Sequence, residues 1–188
     1  LDRGTAQAAS RYLSSCDYDL VVAVHEGDES ICRRQMGRLT QGLADGALII
    51  PRGLPDAQLL QPFVLQGYPL VFIDMYVEGL PFPIVTSDNA AGARGLVQRC
   101  AAAGAGAFVV MFNDQNPVER ERLHGTLEAL GELGVAHRCI ADPADAWMPT
   151  RGAVGPVGVL ATSQRTLAAF AAAHAPALCA TPPVFGCF

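Results

Sequence analysis

Short, continuous apolar runs alternate with amphipathic stretches along nearly the whole chain, and this alternation restricts the fold more than any other feature. Ala47 to Ile50, Pro69 to Asp74, Phe108 to Phe112, Val157 to Thr162 and Val184 to Phe188 are short runs flanked by turn residues. Such runs read as strands buried on both faces, the pattern of a parallel sheet. Asp19 to Val24, Ile84 to Thr86 and Ala136 to Ile140 read as further strands. Between them lie helical patterns. Leu1 to Ser14 is one. A second starts at Asp28 or Ser30 and runs to about Ala44, with Ile31, Leu39 and Leu43 towards its buried side. Others cover Gln58 to Gln66, the stretch from the Ser87-Asp88-Asn89 cap to Ala103, and Gln164 to Ala173. Asn116-Pro117 supplies a cap and a first-turn proline for a helix ending at Gly134, in which Leu123, Leu127 and Leu130 share a face. Strand and helix in alternation give the α/β class. The Pro/Gly-rich segment between Asp74 and Asp88 is the expected crossing between two lobes, 1–86 and 87–188.

Composition excludes several functions. Hydrophobic residues make up 51% of the chain and charged ones 16%, a folding composition. The formal net charge is −5, and all 13 cations are arginine. Without lysine there is no Walker-type phosphate ligand and no Schiff base. An acidic surface also lacks the basic face that nucleic acid requires. Six scattered cysteines form no Cys-x-x-Cys pair, which argues against a zinc site and for free thiols in a reducing compartment. No apolar run approaches the roughly 20 residues of a membrane span. The first residue is Leu1 and not Met, so a processed or truncated N-terminus is expected.

In open α/β sheets, ligands bind beyond the carboxyl ends of the strands. That rule selects His25, Pro51, Arg52, Asp74, Asn113, Thr162 and Phe188. Arg122 joins them because helical side chains lean towards the N-terminus, and a guanidinium grips planar oxygen acceptors. Each has an alternative. Arg122 pairs equally well with Glu119 or Glu121 on a solvated helix face. Asp74 suits a loop cap, and His25 an ordinary loop histidine. Trp147 is either a ligand platform or a hydrophobic plug. Asp88-Asn89 reads first as a cap and second as a ligand contact. No hydrolase, metalloprotease, dinucleotide or P-loop motif is present, so no catalytic residue, metal or cofactor is assigned.

Three ordered stretches resemble the effector-binding core of LacI/GalR-type transcription regulators. They are Asp45 to Pro51, Gly67 to Asp74, and Val85 to Ala93. Glu121-Arg122-Leu123-His124-Gly125, followed by Leu127 to Leu130, looks like that family's arginine-containing helix start. The resemblance implies a two-lobed, periplasmic-binding-protein type I-like fold, incomplete at both ends, with the first strand and the return segments outside this sequence. It implies Arg122 as effector anchor, Asp74 as a cleft residue and Trp147 as an aromatic platform. It further implies a cytoplasmic homodimer that senses a sugar or related metabolite and controls operator DNA through a separate N-terminal head. Thr162-Ser163-Gln164 and Phe188 depart from the usual Asn-Asp-Gln and terminal Asp, which removes partners for sugar hydroxyls. Two other classes compete: a periplasmic sugar-binding protein of an ABC transporter, and a small-molecule enzyme on the same sheet.

Overall fold

The computed structural model describes residues 3–25, 28–50, 57–113, 117–142, 145, 155–180 and 183–187. The chain divides into two compact units, Leu1–Val85 and Thr86–Phe188.

The first unit contains α1 (Arg3–Ser14), α2 (Glu29–Thr40), β1 (Ala47–Ile49), a 3-10 turn over Ala57–Leu60 leading into α3 (Gln61–Leu65), β2 (Leu70–Ile73) and β3 (Ile84–Val85). The three strands form a parallel sheet in the order β1-β2-β3. Asp28 caps α2, its carboxylate accepting the Ile31 amide at 3.0 Å. α2 stops at Thr40, short of the expected Ala44, because Gly42 turns the chain at φ +84°. The Leu43 and Gly42 amides then satisfy the Arg38 and Leu39 carbonyls at 3.1 Å each. Cys32 and Met36 of α2 pack with Leu60, Phe63, Leu70 and Phe72 into one apolar cluster. Leu39 packs against this cluster as expected and Ile31 is half-buried, whereas Leu43, beyond the end of the helix, is exposed.

The expected strand at Asp19 to Val24 is not formed: these residues join no sheet, and Val21, Val22 and Val24 are exposed. A strand exists only where a neighbour supplies the opposing amides and carbonyls, and β1 pairs only with β2 among the described residues. A side-chain tie to this stretch runs from Gln35 Nε2 to the Val24 carbonyl at 3.0 Å.

The second unit contains α4 (Asn89–Ala102), β4 (Ala107–Met111), α5 (Pro117–Leu133), β5 (Ala136–Ile140), β6 (Val157–Ala161), α6 (Gln164–Ala180) and β7 (Val184–Cys187). Its four strands are parallel, in the order β5-β4-β6-β7. Every residue of β4 and β6 is buried. The pleat sends Phe108 and Val110 to a cluster with Val97, Cys100, Ala129 and Leu130 of α4 and α5. Val109 and Met111 face the other way, towards Phe170 of α6. α6 runs to Ala180, beyond the expected Ala173, since its alanine-rich sequence sustains helix past Pro176. α4 and α5 approach closely at Gly125. A Cβ there would strike the backbone of Ala90, including its Cα at 2.7 Å, so only glycine fits.

Among the described residues no helix is long and apolar enough to cross a membrane, and no group of acidic, His and Cys side chains is arranged to hold a metal ion.

Candidate functional site

The second unit gathers buried polar groups, Asn89, Glu119 and Thr162 among them, at the carboxyl ends of β4 and β6. Two helices start there. Asp88 caps α4 by accepting the Ala91 amide at 2.9 Å, which leaves the next residue, Asn89, inside the first turn and buried. α5 starts at Pro117, placing Glu119 in its first turn and Arg122 one turn later. Thr162 follows β6 directly; its amide donates to the Met111 carbonyl at 3.0 Å and so continues the ladder one residue beyond the strand.

Arg122 joins these pieces. Its Nε donates to Asn89 Oδ1 at 2.9 Å, and its Nη1 donates to the Thr162 carbonyl at 3.0 Å. Asn89 Nδ2 in turn donates to Glu121 Oε2 at 3.0 Å, to the Ser87 carbonyl at 3.1 Å and to Thr86 Oγ1 at 3.2 Å. The Thr162 hydroxyl donates to Glu119 Oε2 at 2.7 Å, a contact buried on both sides. Thr126 Oγ1 donates back to the Arg122 carbonyl at 2.8 Å and ties that turn to the next. A half-buried guanidinium with its plane fixed from two sides is prepared to meet oxygen acceptors in one orientation.

Of the sequence candidates, Arg122 and Thr162 are thus in direct contact. Asn113 lies exposed just beyond β4. His25 and Asp74 belong to the first unit. His25 is half-buried in the irregular stretch before α2, its carbonyl accepting the Asp28 amide at 2.7 Å. Asp74 follows β2 and adopts φ +63°, with the Met75 amide donating to the Ile73 carbonyl at 2.7 Å across it. A γ-turn of positive φ is uncommon for a side chain other than glycine and stores backbone strain. The Asp74 amide meanwhile donates to the Val85 carbonyl at 2.9 Å, so the strained residue is held in the ladder. Trp147, Phe188, Pro51 and Arg52 lie outside the described residues.

Two participants stand outside the strand-end candidates. Asn89 reads first as cap and second as ligand residue; Asp88 fills the cap and frees the Asn89 side-chain amide for Arg122 and Glu121. Glu119 was weighed only as a surface partner of Arg122; it binds Thr162 instead and is 8% exposed. Its position three residues before Arg122, in the first turn of a helix facing strand ends, was the available signal.

Five described cysteines, Cys16, Cys32, Cys100, Cys139 and Cys187, are free thiols. Burial pushes the Cys32 and Cys100 thiols upward, which keeps them protonated and unreactive.

No protein-family model matches the sequence, and no curated protein matches it. Solved structures do share its fold. A Burkholderia thailandensis protein assigned as a ribose operon repressor aligns with TM-score 0.76 and 19% identity, over 98% of this chain and 72% of its own. A LacI family transcriptional regulator from Mycobacterium smegmatis aligns with TM-score 0.69 and 18% identity, over 89% of this chain and 66% of its own. An ABC transporter solute-binding protein from Burkholderia multivorans gives TM-score 0.70 and 17% identity, over 92% and 70%. The parallel sheets flanked by helices are therefore those of the periplasmic-binding-protein-like fold found in LacI-family regulators, and the chain spans roughly two thirds of these relatives (66–72%).

Proposed function

We propose that the chain is the ligand-sensing core of a LacI/GalR-type transcription regulator. The observation that carries this reading is the fixed guanidinium of Arg122, held by Asn89 and the Thr162 carbonyl at the carboxyl ends of parallel strands. That is where open α/β sheets take small molecules. In this reading Arg122 anchors oxygen atoms of a sugar or related metabolite, and Thr162 and Asn113 line the same mouth. The protein acts as a cytoplasmic homodimer and has no catalytic step. Ligand binds one conformational state better than the other, and that difference shifts the operator-binding competence of an attached DNA-binding head. The free thiols favour a reducing compartment.

Calorimetry with D-ribose, D-glucose and D-galactose tests the anchor. Arg122→Ala is expected to weaken any of these that binds by at least about tenfold, the worth of a charged hydrogen bond, while circular dichroism shows a folded chain. Unchanged affinity removes Arg122 from the site.

The solute-binding neighbour supports a second reading, transport of the same class of ligand from the periplasm. N-terminal sequencing of the protein purified from its own cells separates the two. A helix-turn-helix extension of about 60 residues identifies a regulator, and a mature end left by a cleaved signal peptide identifies a transport protein.

A further inference from the structure

Glu119 is a buried acidic residue of which the fold uses one oxygen. The residue is 8% exposed, and Thr162, its hydrogen-bond donor, is 1% exposed. Oε2 accepts that one hydroxyl at 2.7 Å. Among the described residues no cation lies within ion-pair distance of Glu119, and Oε1 has no partner. Arg122, one turn further along α5, turns instead to Asn89 and to the Thr162 carbonyl.

A carboxylate removed from water is costly unless a cation or several donors meet it. The first turn of α5 favours negative charge through the helix dipole, but that field does not fill the lone pairs of Oε1. Glutamine would serve Thr162 equally well without the cost of the charge. The charge therefore has its use outside the unliganded fold, and its complement is a compact cation with hydrogen-bond donors. An ammonium group has that chemistry.

We propose that Glu119 is a recognition residue for a protonated amine, so that this site takes an amine-bearing small molecule such as an amino sugar, with Arg122 meeting its oxygens. The inference rests on the ligand-sensing reading above.

The test uses the 188-residue chain and two matched series: D-glucosamine and D-galactosamine against D-glucose, D-galactose and D-ribose. Calorimetry on the wild-type chain is expected to show the amines binding at least about tenfold tighter than their parent sugars. Glu119→Gln should erase that preference, and Arg122→Ala should weaken both series. Without ligand, Glu119→Gln is expected to melt no lower than wild type, because it keeps the Thr162 contact and loses a buried charge. Equal affinity for amines and parent sugars overturns the amine assignment and leaves the ligand-sensing reading standing. A Glu119→Gln chain that melts several degrees lower makes Glu119 a structural residue and overturns the assignment as well. If neither series binds the wild-type chain, the ligand-sensing reading and this inference fall together. The wild-type comparison of the two series requires no variant to fold.

Discussion

In the second unit β4 buries side chains on both faces, Phe108 and Val110 against α4 and α5, Val109 and Met111 against α6. In the first unit β2 has the same apolar character, but only Leu70 and Phe72 enter a cluster, whereas Val71 and Ile73 are half-buried and join none. The first unit's cluster takes residues from α2, α3 and the intervening 3-10 turn and nothing from α1. Among the described residues, one sheet is thus covered on both faces and the other on one. Apolar composition alone does not report how many faces of a strand are covered; that depends on which helices reach it.

The largest effect is expected at the centre of the doubly covered sheet. Phe108→Ala should lower stability by about 3–5 kcal/mol in chemical denaturation, since the ring is fully buried and also fills the space in front of Gly158. A loss below about 1 kcal/mol would show that the α4–α5 face is not a packed core. A matched pair tests the contrast between the units directly. Val110→Ala, on β4, should cost about 2 kcal/mol, and Val71→Ala, on the open face of β2, less than about 1 kcal/mol. Equal losses would mean that Val71 is as well packed as Val110.

The smallest effect concerns α2. The Ser30 hydroxyl and the Ile31 amide hold the Asp28 carboxylate below its ordinary range. A lowered carboxylate contributes stability above its unfolded-state value and loses it as pH falls through the lowered one. Asp28→Ala should therefore destabilise the first unit slightly at neutral pH and make no difference in strong acid. A penalty that persists in acid would assign the effect to packing.

The elements legible in the sequence were those fixed by local chemistry. Asp28 and Asp88 cap as their side chains dictate, and β4, β5 and β6 match their expected ranges to within a residue at each end. Asp19 to Val24 was misread for a different reason. Its β-branched residues satisfy every local criterion for a strand, but pairing is a property of a neighbour and not of the segment. The site was half legible. Arg122 and Thr162 could be placed at strand ends by counting along the chain. The Asn89 and Glu119 contacts could not, because they depend on how α4, α5 and β6 meet, and those elements are far apart in sequence.

The close approach of Gly125 to Ala90 also sets the dimensions of the site. Gly125 lies three residues after Arg122, and Ala90 immediately follows Asn89. Backbone touching backbone at that point works as a mechanical stop: α4 and α5 can come no nearer, and their packing keeps them from drifting apart. The distance between the guanidinium and its amide partner is thereby gauged by a residue with no side chain. A single methyl group at position 125 would act as a shim between the helices, altering the width of the site without touching any group that bonds within it.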